Sequence, residues 1–185
     1  GVRAYLAIAG GVASDPVLGS RSTHVRAGMG GIGGRALQPG DSVPLTGGVT
    51  GPEHRLRHDR RPYFGGVVHI VPGPQDDAFE EGALERLTRG RYRISPQSDR
   101  MGAVLNGPEL PFRGGFNIVS DGVTMGSIQV PGHGRPIVLL SDRQTTGGYP
   151  KIATVTTPDL GRFAQRRPNE RVVFEAISPA VAEER

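Results

Sequence analysis

Glycine and proline interrupt this chain so often that a long helix has little room to form. There are 29 glycines and 16 prolines in 185 residues. Relative to alanine, a helix interior loses about 1 kcal/mol for glycine and about 3 kcal/mol for proline. Both residues suit the tight turns that join short strands. The apolar runs between these breaks have strand length: Val2 to Ala9, Val67 to Val71, Arg91 to Ser95, Met101 to Leu105, Phe116 to Val119, Ser127 to Val130, Ile137 to Leu140, Lys151 to Thr156 and Arg171 to Ile177. Two stretches read as helices. Asp76 and Asp77 can cap one, with Phe79, Ala83, Leu84 and Leu87 as its apolar stripe and Gly90 as its end. Pro158-Asp159-Leu160 starts a second, reaching Gln165. Many antiparallel strands with two short helices predict a mainly β fold, closed into a barrel.

The irregular stretch 46–65 is the expected subdomain boundary. The chain opens on Gly1, and the Val2 to Ala9 run is expected to pair with a segment upstream. Cysteine is absent, which removes disulfides, thiolate metal sites and cysteine nucleophiles and fits a cytoplasmic protein. No apolar stretch approaches transmembrane length and no signal-peptide pattern opens the chain, so no membrane partner is expected. Net charge is +4, carried almost wholly by arginine, since Lys151 is the only lysine. The arginines are scattered and aromatics make up only 5%, which argues against nucleic-acid binding. The densest basic cluster, Arg55, Arg57, Arg60 and Arg61, reads as a solvated loop.

Gly28-Met29-Gly30-Gly31-Ile32-Gly33 satisfies G-x-G-x-x-G, but no apolar strand precedes it and Gly34, Pro39 and Gly40 forbid a helix after it. A dinucleotide site is rejected, while a loop that brings backbone close to a ligand stays open. His54 and His58 stand four residues apart without a third ligand, so no metal is expected. No nucleophile elbow and no Walker loop occur. Ser22 and His24 sit in a dense polar group that can either contact a ligand or cap a turn. Ser98-Asp99, Ser120-Asp121 and Ser141-Asp142 recur at strand ends, which would place three aspartates on one rim if the hairpins alternate regularly; ordinary turn formation is the competing reading.

The richest stretch is SDRQTTGGYPK, residues 141–151. It carries more polar groups than a turn requires. Arg143 can hold a carboxylate or carboxamide through two parallel hydrogen bonds. Asp142, Asp121 and Asp99 are candidate general bases if burial raises their pKa. Gln144, Thr145, Thr146 and Tyr149 can bind a substrate, and Gly147-Gly148 lets backbone approach a planar group. Lys151 can stabilise developing negative charge.

Several blocks in order, GVRAYLAIAGGV, GSRSTHVRAGMGGIGGRALQPGD, VPGPQ, SDRMG, VSDGVTMGSIQVPGHGRPIVLLSDRQTTGGYPKIATV and a trailing DL-x3-AQ, resemble the allophanate hydrolase subunit 2 family. It is also called the family of 5-oxoprolinase C subunits, or the biotin-dependent carboxyltransferase domain family. The resemblance spans residues 1 to about 175. Two departures stand out: the family's substantial N-terminal section is missing, and Gly132-His133-Gly134-Arg135-Pro136-Ile137 stands where the family has a phrase like GDGQPI. The resemblance implies a cyclophilin-like β-barrel in residues 61–185, with 1–60 the end of a first β subdomain. It implies a subunit 1 homologue as partner, in a heterodimer or heterotetramer, and a small amide or urea substrate. Family roles are ATP-dependent opening of 5-oxoproline to glutamate, carboxyl transfer from carboxybiotin to urea, and non-catalytic antagonism of a kinase inhibitor. ATP therefore enters at the level of the complex, and biotin on a partner in the second role. Asp142, Lys151 and Asp121 become the candidate catalytic residues. Asp99, Arg100 and Gln129 join the candidate substrate-binding set with Arg143 to Tyr149, Ser22 and His24.

Overall fold

The computed structural model describes residues 2–48, 51 and 65–184. The His54/His58 pair, the Arg55–Arg61 cluster and most of the expected boundary lie outside the described residues. The chain divides into two compact units, one made of residues 4–59 and one of 60–185 together with 1–3.

In the larger unit, alternation and short apolar runs become strands wherever a glycine or proline allows a turn. These are β1 (Val68–Pro72), β2 (Tyr92–Ile94), β3 (Gly102–Asn106), β4 (Asp121–Gly122), β5 (Ser127–Gln129), β6 (Ile137–Leu139), β7 (Thr146–Gly147), β8 (Lys151–Val155), β9 (Arg171–Val172) and β10 (Phe174–Ala176). Eight of them form one sheet in the order β10-β1-β8-β5-β6-β3-β2-β9. Its two edges, β9 and β10, are separated only by Val173. β9 pairs antiparallel with β2 and β10 parallel with β1. One continuous segment therefore supplies both edges, so the sheet curls until it meets itself and no long open edge remains. The expected strand 171–177 is thus two strands, because the chain crosses from one edge to the other at Val173.

The barrel interior is filled by Ile70, Leu105, Ile128, Val138, Ile152 and Val172, all essentially buried, with Tyr92 edge-on to Phe174 and Phe163 tilted against the same ring. Helix α1 (Ala83–Arg89) buries Ala83 and Leu87, and α2 (Thr157–Ala164) buries Leu160 and Phe163. A third short helix, α3 (Pro179–Glu183), follows, with Ser178 accepting from the Val181 N–H as its cap.

Two local expectations change. The helix expected from Asp76 is a 3-10 turn over Asp76–Ala78, then a break, then α1. Phe79 is pulled into extended backbone to bridge Phe112, stacking on its ring at 5.2 Å, and Gly82 sits at φ 80°. Aromatic burial outweighs helix continuity here. Phe116 to Val119 forms no ladder; the pairing falls later, at β4 with β7. The partner expected for Val2 to Ala9 is a segment upstream of these residues, and among the described residues the run has no ladder. Val2 and Arg3 instead donate their N–H groups to Gln165 Oε1, both at 2.9 Å, while Tyr5 is 99% exposed.

The smaller unit is built from turns. Among the described residues its ladders are single bridges, Val12–Leu45, Val17–Ser20 and His24–Met29. Gly28, Gly30, Gly31, Gly33 and Gly34 all take positive φ, so the glycine motif is a succession of tight turns that no other residue type accommodates freely. Arg35 holds Asp41 through two bonds of 2.7 and 2.9 Å, which with the Gln38 N–H lowers the Asp41 carboxyl to about 2.

Candidate active site

The stretch from Ser141 leaves β6 and returns along the barrel wall as β7, lying antiparallel on β4 with Asp121 opposite Gly147 and Gly122 opposite Thr146. The ribbon is extended by the Val123 N–H on Thr145 O at 3.0 Å and the Ile118 N–H on Gly148 O at 2.9 Å. Underneath lies the buried carboxamide of Gln129. Its Nε2 donates to Tyr149 O at 3.2 Å and its Oε1 accepts from Gln144 Nε2 at 3.1 Å. A Cβ on Gly147 would stand 2.5 Å from Gln129 Nε2, so glycine at this position admits the protein's own amide. Gly147→Ala is expected to destabilise by about 1–3 kcal/mol through this overlap. A lower urea midpoint with unchanged slope would show it.

At the end of the ribbon, Lys151 opens β8 opposite Gln129. Its side chain is 5% exposed, while that of Asp121 is 53% exposed. The ammonium donates to Asp121 Oδ2 at 2.6 Å and Gly122 O at 3.1 Å. An ammonium has three N–H groups, so one has no partner among the described residues. The Lys151 ammonium, the Gly122 N–H on Oδ1 at 2.7 Å and the Gln75 amide at 3.1 Å hold the Asp121 carboxyl below its ordinary range. Asp121 is therefore a resting anion that orients Lys151. Burial does not raise its pKa into the range of a general base.

The other candidates separate in space. Leu139 at the end of β6 pairs with Gly102 at the start of β3, and this end carries Asp99, Arg100 and Asp142. Arg100 clasps Asp142 at 2.8 and 2.9 Å. Asp99 Oδ1 accepts from the N–H groups of Met101 and Gly102, closing its own turn. The three aspartates thus do not share a rim, because β3 and β6 run the length of the wall between the Asp142 end and the Lys151 end. Arg143 reaches Val123 O through Nε at 3.5 Å, and its terminal nitrogens have no partner among the described residues. Thr145, Thr146 and Tyr149 are exposed along the ribbon. Ser22 and His24 lie in the smaller unit, where His24 Nδ1 accepts from the Ala27 N–H and caps the turn Val25–Ala27.

Sequence reasoning did not single out Gln75, which reaches Asp121 and the Lys151 main chain in this candidate site. The signal was present in VPGPQ, where two prolines and a glycine fix a loop after β1. No group of three or more His, Asp or Glu among the described residues could hold a metal ion. No helix among them is long and apolar enough to cross a membrane.

The carboxyltransferase domain family, subdomain A and B, matches residues 1–176. The chain belongs to that family. Among relatives of this carboxyltransferase-domain chain, the 5-oxoprolinase C subunit of Escherichia coli is 38% identical over 165 residues, 89% of this chain and 53% of that protein. The 5-oxoprolinase C subunit of Haemophilus influenzae is 38% identical over 96% of this chain and 57% of its own length. The chain thus spans about half the length of these relatives. The solved urea carboxylase of Kluyveromyces lactis matches with a TM-score of 0.77 at 25% identity, over 94% of this chain and 17% of that one. The barrel architecture expected of the family is the one observed.

Proposed function

We propose that this carboxyltransferase-domain chain is part of an enzyme complex that opens the lactam of 5-oxoproline to glutamate at the expense of ATP. The observation that carries the reading is the 38% identity to two 5-oxoprolinase C subunits over most of the chain. In the overall reaction the lactam C–N bond breaks, the ring nitrogen becomes the amine, ATP is split to ADP and phosphate, and two waters are consumed, one for the ring opening and one for the phosphoryl group. The barrel's part is electrostatic. The unpaired N–H of Lys151 meets charge on the amide oxygen, and Arg143 meets the substrate carboxylate. Asp142, clasped by Arg100, shapes the loop. No glycine loop among the described residues opens a helix, so these residues do not form a Walker or dinucleotide phosphate cradle. In this reading ATP is held elsewhere in the complex, and a subunit 1 homologue is the partner.

A second reading is carboxyl transfer from carboxybiotin to urea. It is favoured by the urea amidolyase of Lachancea kluyveri, 29% identical over 98% of this chain, and by the structural match above. Lys151 follows Pro150, is buried and is paired with Asp121, so it does not suit biotin attachment, and the carrier would be another chain or domain. The test is ATP hydrolysis by the chain assembled with its subunit 1 homologue and the larger oxoprolinase subunit. Stimulation by 5-oxoproline with glutamate release is expected. A stable complex without stimulation, but with urea-dependent consumption of carboxybiotin, would transfer the assignment to the second reading.

A further inference from the structure

Gln75 joins three things that are far apart in sequence. Its Oε1 accepts from the Lys151 N–H at 3.2 Å, and its Nε2 donates to Asp121 Oδ2 at 3.1 Å. The same Oδ2 accepts from Lys151 Nζ at 2.6 Å. The amide cannot be turned round without placing a donor against an N–H and an acceptor against a carboxylate, so both bonds fix its orientation. The loop that delivers it is tightly placed. The Gly73 N–H donates to Ile152 O at 2.8 Å, and a Cβ on Gly73 would overlap the Lys151 carbonyl. Glycine at 73 is therefore required by close approach to β8, independently of its φ. VPGPQ is a device that brings one carboxamide to the start of β8.

We infer that Gln75 is a positioning residue for Lys151, tying the Asp121 carboxylate to the β8 main chain so that the ammonium keeps one direction. This rests on the proposed reading of Lys151 as the charged group that meets the substrate. Asp121 is half-exposed and sits on a two-residue strand, so without the amide the described residues leave it Gly122 and the ammonium as its holds. Freed from that hold, it would sample other rotamers, and the ammonium would follow it or lose it.

Because Lys151 is the only lysine, its amine can be read directly in the intact protein. Acetic anhydride at mildly alkaline pH acylates the neutral amine, and the Lys151 peptide reports the extent by mass. Gln75→Leu is expected to raise the acylation rate about fivefold, the loss of one hydrogen bond's worth of restraint on the ion pair. Gln75→Met keeps the length of the side chain without adding charge, loses both hydrogen bonds, and should raise the rate in the same direction. Gly73→Ala should reproduce the effect by displacing the loop. In the complex, both Gln75 variants should lower kcat with KM little changed. A purely structural Gln75 would lower the melting temperature and leave the acylation rate of the folded protein as in the wild type. That result in the uncharged, near-isosteric Gln75→Met protein overturns the inference. A changed acylation rate combined with full activity of a Lys151→Met complex would sink the reading of Lys151 while leaving the positioning role standing.

Discussion

Under the proposed lactam-opening reading, Lys151→Met is expected to reduce 5-oxoproline-dependent ATP hydrolysis by about a hundredfold or more, the scale of losing one preorganised charge donor. The protein should still fold. Methionine fills nearly the same slot in the wall, and Asp121, left behind, is half-exposed and can be hydrated. Lys151→Arg should not restore activity. A guanidinium is a planar fork, and the lysine stem sits in a channel that leaves its side chain only 5% exposed. Gel filtration with the partner separates lost chemistry from lost assembly. An intact complex with wild-type turnover would reject the catalytic role and leave the chain as a non-catalytic binding partner.

Much of the barrel was legible because its strands are short apolar runs between strong turn signals. Ile137 to Leu140 and Lys151 to Thr156 became β6 and β8 with small trimming. What failed was competition between local pattern and long-range contact. Phe79 fits a helical stripe with Ala83 and Leu87, but Phe112 offers more burial in an extended backbone. The site was legible as a stretch and not as a geometry. SDRQTTGGYPK did contain Lys151, yet its glycine at 147 serves Gln129, and its Asp142 turns away to Arg100. Pairing of Lys151 with Asp121 and Gln75 depends on β4 lying on β7 and on β1 lying beside β8, which no local spacing encodes.

Asp159→Ala is expected to destabilise the barrel by about 3–5 kcal/mol, the range for removing one partner of a buried ion pair. Asp159 lies in the first turn of α2 and is 2% exposed. Its Oδ2 accepts from the His69 N–H at 2.7 Å and contacts His69 Nδ1 at 2.6 Å, while its Oδ1 pairs with Arg162. Arg162 also donates to Val67 O at 3.2 Å. One carboxylate thus ties α2 to β1, the strand on which β10 closes the barrel. Alanine would leave a main-chain N–H and a guanidinium without this acceptor. Against a total stability of about 5–15 kcal/mol, that is a large fraction. Urea unfolding should show a lowered midpoint. Acid gives a second signature. Burial alone pushes the Asp159 carboxyl up, but the His69 N–H, Arg162 and the His69 ring outweigh it and hold it below its ordinary value. A group whose folded pKa is depressed contributes stability that is present above its unfolded pKa, about 4, and lost as pH falls through the lower folded value. The wild type should therefore lose this contribution below about pH 4, where the Asp159→Ala protein has none to lose, and the gap between their urea midpoints should narrow as the pH falls.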